Sequence, residues 1–164
     1  MKKSEIFEKK MTLDVVVAGL KAPQGYVLEA SEKELISLAK RFDVEKIHYL
    51  KANITVYPND IVRVAGKIKA LTRRQCVLSL ESFDEKMTED FEVLYAEGDN
   101  LPSDTDEIID VIDKGRIHLG DVVAEQYGLA LNPFPKKPGV KNVFEDVEEQ
   151  TQKPFADLKE MMKK

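Results

Sequence analysis

A chain of 164 residues, 43% hydrophobic and 34% charged, has the size and apolar content of one ordinary domain with charged extensions. A single cysteine, Cys76, excludes an intrachain disulfide, and no apolar run reaches the roughly 18 residues that span a bilayer. The formal net charge of −5 conceals an asymmetry: residues 1–82 carry 15 Lys/Arg against 10 Asp/Glu, and residues 83–164 carry 10 against 20, so local charge says more about partners than the whole-chain balance.

The opening MKKSEIFEKKMT is charged and has no apolar h-region; it does not read as a secretory signal, and the expected location is cytoplasmic. TLDVVVA (12–18) is short and β-branched, which predicts a first strand, and KAPQG predicts a turn. SEKELISLAKRF is the clearest helix. Ser31 and Glu34 have capping-box spacing, and Leu35, Ile36, Leu38 and Ala39 form an apolar stripe. Four β segments follow, at roughly 44–57, 61–70, 73–82 and 87–96, joined by YPND, ALT and FDEK. Period-2 alternation groups Val62, Val64, Gly66, Ile68 and Ala70 on one face. It likewise groups Arg74, Cys76, Leu78 and Leu80, and Met87, Phe91, Val93 and Tyr95. Short connections force antiparallel pairing.

EGDNLPSDTD reads as an acidic loop and EIIDVID as one more strand. LGDVVAEQYGLAL (119–131) predicts a second helix with Leu119, Val122, Val123 and Leu129 inward and Gly128 weakening its end. NPFPKKPG stops that helix. The fold expected is α+β: an antiparallel, curled or barrel-like β-meander packed with two to three helices. Residues 1–132 form its single domain, and 133–164 supply a proline-rich turn, an acidic mobile segment and a short C-terminal helix.

The reactive side chains are scattered. His48, Cys76 and His118 have no metal-ligand spacing, and no nucleophile-elbow, phosphate-loop or dinucleotide-binding pattern occurs. His48 suits a cross-strand role and His118 a helix cap. The expectation is no enzyme, no metal and no cofactor. Asp104, Asp106 and Glu107 are the carboxylates a metal-dependent hydrolase would need, but an acidic solvated loop is the simpler reading. Cys76 reads as a small buried hydrophobe.

The basic hairpin is the more informative feature. Arg63, Lys67 and Lys69 fall opposite Val64 and Ile68, and Arg73 and Arg74 follow. Five cations on one hairpin can neutralise phosphates, a contact that weakens steeply with salt. Because no aromatic interleaves with them along the chain, contact to backbone and shape is expected rather than stacking. A second candidate surface is Pro133, Phe134 and Pro135 with Phe155 and Leu158, where aromatics beside polar segments can anchor a protein partner.

The strand bearing Cys76, the segment GRIHLGDVVAEQYGLALNPFPKKPG and the ending PFADLK, in this order over most of the chain, resemble the YceD family, the large ribosomal RNA subunit accumulation proteins. The resemblance rests on Gly115, Ile117, Leu119, Glu125, Leu129, Ala130, Leu131, Pro133 and Pro135. It rests further on Asn132, Phe134, Lys136, Lys137, Pro138 and Gly139, where some relatives read Asp-Pro-Tyr-Pro-Arg-Lys-Pro-Gly, and on Pro154, Phe155, Ala156, Leu158 and Lys159. Many members carry Cys-x-x-Cys in the central hairpin, sometimes with further Cys or His near the proline turn, a set that would suit zinc. This chain has Cys76 but Ser79, and Lys137 near the later position, so it retains half a site. The resemblance implies a non-enzymatic role in accumulation or processing of large-subunit (23S) ribosomal RNA and in ribosome assembly. Its implied partner is that RNA or a pre-ribosomal particle, or else a ribosomal or assembly protein, with no membrane involved.

Overall fold

Strand alternation is the dominant local signal, and the structure, a computed structural model describing residues 7–11, 13–98 and 108–141, follows it. The described strands are β1 (Phe7–Lys10), β2 (Asp14–Val16), β3 (Gln24–Glu29), β4 (Lys46–Tyr57), β5 (Val62–Gln75), β6 (Ser82–Ala96), β7 (Ile109–Val111) and β8 (Arg116–His118). The helices are α1 (Glu32–Arg41) and α2 (Leu119–Ala130), with one 3-10 turn at Val17–Gly19. Six strands form one sheet in the order β1-β3-β4-β5-β6-β7, and β2 pairs with β8 separately.

The α+β expectation holds: β3 to β6 are an antiparallel meander with two helices packed on it. The sheet stays open and does not close into a barrel, since β1 and β7 are its edges. Both edge pairings are parallel, β1 with β3 and β6 with β7. A parallel return needs about a dozen residues of crossover, and residues 11–23 supply them with β2 and the 3-10 turn. The expected first strand therefore shortens to Asp14–Val16, and β3 begins inside the expected KAPQG turn.

The largest departure lies in the central hairpin. The ALT stretch does not turn; β5 runs unbroken to Gln75, and β6 runs back from Ser82 through the expected FDEK turn. The true turn is residues 76–81, closed by Cys76 N–H to the Glu81 carbonyl and Leu80 N–H to the Cys76 carbonyl, both at 2.9 Å. Thr72 explains the continuity. It is buried, and its hydroxyl hydrogen-bonds the Tyr127 hydroxyl of α2 at 2.8 Å. A polar side chain deep in the sheet is tolerated because it is paired. Cys76 is consequently not on a strand face with Leu78 and Leu80; it is fully buried in the turn, while Leu80 is exposed with φ of 59°.

One face of the sheet holds the core. Leu28, Leu50, Ala52, Ile54, Val56, Val62, Val64, Ile68, Ala70 and Phe91 meet Leu119, Val122, Val123 and Tyr127 of α2 and Leu38 of α1. The capping box at α1 forms as expected, with Ser31 N–H donating to Glu34 Oε2 at 2.7 Å, an arrangement worth about 1 kcal/mol. Two stripe positions depart from expectation: Ile36 is exposed on α1 and Leu129 on α2. Gly128 does not weaken α2 but admits a neighbour, because the Phe42 ring lies where a Cβ would be. That ring also meets Tyr127 edge-on at 5.5 Å, joining the two helices. All but the first two residues of the expected acidic loop (97–106), and the expected acidic segment and C-terminal helix from residue 142 on, lie outside the described residues.

Gly120 has the tightest backbone constraint: a Cβ there would fall inside the Met11 carbonyl. Gly120→Ala is expected to lower stability by about 2 kcal/mol through overpacking, despite a helix-propensity gain of up to about 1 kcal/mol. Gly19, with nothing near its missing Cβ, should tolerate Ala within about 0.5 kcal/mol. Urea midpoints of the two variants check the contrast.

Candidate nucleic-acid interface on the open face of the sheet

The same alternation that buries Val62, Val64, Ile68 and Ala70 turns Arg63, Lys67, Lys69 and Arg73 to the opposite face. Both helices lie on the core side, so among the described residues this second face is bare. Arg74 departs from the expected cluster. It has the parity of Thr72, its side chain is nearly covered, and it donates to Glu85 at 3.2 Å and to the Asn132 carbonyl at 2.7 Å. The guanidinium thus closes the exit of α2 against the sheet and is not placed with the other four.

The four remaining cations do not stand alone. Arg63 pairs with Glu92 at 3.1 Å and Lys67 with Asp90 at 3.2 Å. Arg73 meets Glu45 at 3.5 Å and Asp84 at 3.8 Å, and Asp84 also accepts from His48 at 3.1 Å, the cross-strand role expected of that histidine. Exposed pairs of this kind are worth 0–1 kcal/mol and exchange readily with other anions. Lys69 has no carboxylate partner among the described residues. Its register neighbours are Lys51 on β4 and Thr88 on β6.

Register also brings side chains to this face that no reading along the hairpin could join to it. Residues 49–57 alternate, with Leu50, Ala52, Ile54 and Val56 in the core. Tyr49, Lys51, Asn53, Thr55 and Tyr57 therefore point outward. Tyr57 is covered by the Arg63 guanidinium at 4.0 Å from the ring centre. Lys86 of β6 pairs in register with Leu71, which pairs with Tyr49. The alternation of β4 was the signal for these residues; the expectation that no aromatic accompanies the cations holds along β5 but not across the sheet.

The second candidate surface is partly placed. The proline turn docks on the Cys76 turn: Val77 N–H donates to the Pro135 carbonyl at 2.9 Å, and Lys137 Nζ reaches Glu81 at 2.7 Å. Pro135 is buried, whereas Pro133 and Phe134 are exposed, Phe134 by 68%. Val77 and Leu80 are exposed beside them, at 44% and 68%. Phe155 and Leu158 lie outside the described residues, as do Asp104, Asp106 and Glu107.

Cys76 sits where the two turns meet. Its sulfur accepts from the Lys137 amide at 3.3 Å and the Ser79 amide at 3.5 Å. The Lys137 amide, then the Ser79 hydroxyl and amide, hold the thiol down to about 6 against the opposing effect of burial. Hydrogen bonds from Lys137 and Ser79, not the neighbouring arginines, cause that shift. Zinc does not fit these residues: a tetrahedral shell needs four donors, Lys137 is engaged by Glu81, and no three His, Cys, Asp or Glu side chains converge among the described residues. His118 makes no side-chain cap to α2 and instead pairs with Asp14 across β2 and β8.

A family model described as large ribosomal RNA subunit accumulation protein YceD matches residues 64–162, more than half of the chain. The match begins inside β5, so it covers the hairpin, α2 and the proline turn and leaves out β1 to β4 and α1. No curated protein matches the chain, and no solved structure does. No helix among the described residues is long and apolar enough to cross a membrane.

The Cys76 geometry has a signed consequence for pH. A thiol whose folded pKa is depressed from 9.0 to about 6 adds stability that is complete above its unfolded pKa and is lost as pH falls through the folded value. The stability difference between the native chain and Cys76→Ala should grow from pH 6 to pH 9. Denaturant midpoints across that window check it; a flat difference would show the thiol unionised.

Proposed function

The chain belongs to the YceD family of large ribosomal RNA subunit accumulation proteins, and we propose that it is a non-enzymatic factor supporting accumulation of that RNA, in contact with it through the open face of the sheet. The observation that carries this reading is the family match together with the cation row of β5, which lies within it from Lys67 onward. Phosphate oxygens would replace the exposed carboxylates Glu92, Asp90 and Asp84 as partners of Arg63, Lys67 and Arg73, and would add a partner for Lys69. Exchange of one anion for another costs little at a solvated surface and releases counterions from the RNA. The compartment that follows from this role is the cytoplasm.

A second reading has its own support. Val77, Leu80 and Phe134 are exposed apolar side chains on two turns joined by the Val77 N–H to Pro135 carbonyl bond. Leu80 holds a positive φ, a conformation costly for a leucine. An adaptor that meets a ribosomal or assembly protein would use such a rigid apolar knuckle.

Crosslinking in cells, with recovery of bound RNA at two salt concentrations, distinguishes the two. Direct contact predicts salt-sensitive recovery of large-subunit RNA. Reversing Arg63, Lys67, Lys69 and Arg73 to Glu should reduce the salt dependence by roughly 0.7 log units per lost phosphate contact. Unchanged recovery in that variant removes the sheet face from the account. Arg74→Glu should instead lower thermal stability. If protein partners are recovered without RNA, and Leu80→Asp with Phe134→Asp abolishes their capture at unchanged melting temperature, the adaptor reading stands in its place.

A further inference from the structure

We infer that Tyr49, Leu71 and the lysines Lys51, Lys69 and Lys86 form a stacking site for an unpaired base of single-stranded RNA, with its flanking phosphates on the lysines. This deepens the RNA reading above and rests on it. The argument begins from an unfavourable arrangement. Lys51 stands directly opposite Lys69 in register, and like charges so placed destabilise a sheet. Lys86 is diagonal to Lys69, because it pairs with Leu71 two residues further along β5. Among the described residues only Lys51 of these three has a carboxylate partner, Glu29 at 2.9 Å. Elsewhere on this face Arg63, Lys67 and Arg73 each have a carboxylate from β6 or from Glu45; here the β6 partner opposite Lys69 is Thr88. Among the described residues Lys69 and Lys86 thus lack a carboxylate partner, and both lie at the centre of this face.

An aromatic ring occupies that same centre. Strand pairing leaves Leu50 fully buried, and a register shift between Ile47 and Tyr49 sets Tyr49 on the open side with Lys51. Tyr49 takes part in none of the ring, cation–π or hydrogen-bond contacts among the described residues, in contrast to Tyr57 under Arg63 and Tyr127 bonded to Thr72. Tyr49 is half-buried, so part of its side chain stays accessible, and the apolar Leu71 is its register partner on the same face. A duplex presents phosphates but no exposed base face, so a ring with no other side-chain contact beside Lys69 and Lys86 matches a single strand.

The test uses the full chain with a labelled oligouridine and, in parallel, a duplex RNA of equal length. The expectation is tighter binding of the single strand, a loss of roughly tenfold or more in Tyr49→Leu, and retention within about twofold in Tyr49→Phe, which keeps the ring. Photo-crosslinking of the native chain to oligouridine should place an adduct on Tyr49, a readout that does not depend on any variant folding. If Tyr49→Leu binds as the native chain does while Lys69→Glu with Lys86→Glu weakens binding, stacking is refuted and the phosphate contact survives. Equal loss in Tyr49→Leu and Tyr49→Phe assigns the effect to the hydroxyl and also overturns the inference, as does an adduct confined to the helical side. Absence of any binding to either RNA overturns this site and the direct RNA contact together.

Discussion

The unbroken pairing of β5 with β6 is the constraint from which the rest follows. Every residue from Val62 to Gln75 has a partner on β6, and side chains alternate between faces with period 2. A slip by one residue would turn Val64 and Ile68 to water and bury Lys67 and Lys69. The Thr72–Tyr127 hydrogen bond holds this register from within the core, and Arg74 holds it at the edge of the core by reaching the end of α2. Core and candidate site are thus two sides of one register, and neither can be altered without the other.

Local chemistry was legible in the amino-acid order, and contacts made across strands were not. The Ser31–Glu34 box, the alternation in 62–70 and the extent of α2 are short-range patterns, and each appears as expected. The ALT stretch has the composition of a turn, yet packing under Tyr127 keeps it extended, a tertiary contact overriding local propensity. Moving that turn relocates Cys76 from a strand face to a loop and transfers Arg74 to the helical side. Tyr49 joins the lysines only through β4–β5 register, information that reading the hairpin alone does not contain. Gly128 is read by propensity as a helix weakener; close approach of Phe42 gives it its actual use, as that of Met11 does for Gly120.

The charge asymmetry of the chain also changes meaning on folding. The basic first half and the acidic second half meet at the β5–β6 seam, where Arg63, Lys67, Arg73 and Arg74 face Glu92, Asp90, Asp84 and Glu85. Much of the apparent polarity is consumed internally, and the cations left over occupy a smaller area than the sequence implies. The family match starts at Val64, so this seam is shared with the family description, whereas Tyr49 and Lys51 belong to the portion outside the match.

A sheet with one bare polar face invites polymerisation through its margins. Here the marginal strands are β1, with four residues, and β7, with three. β7 covers only Leu94–Ala96 of β6, so among the described residues the outer edge of Ser82–Val93 is left without a strand partner, and the charges along it (Asp84, Glu85, Lys86, Glu89, Asp90 and Glu92) oppose docking of a second copy. The molecule can keep its long strands uncovered, and wet, because the long strand at that margin carries charge along its length.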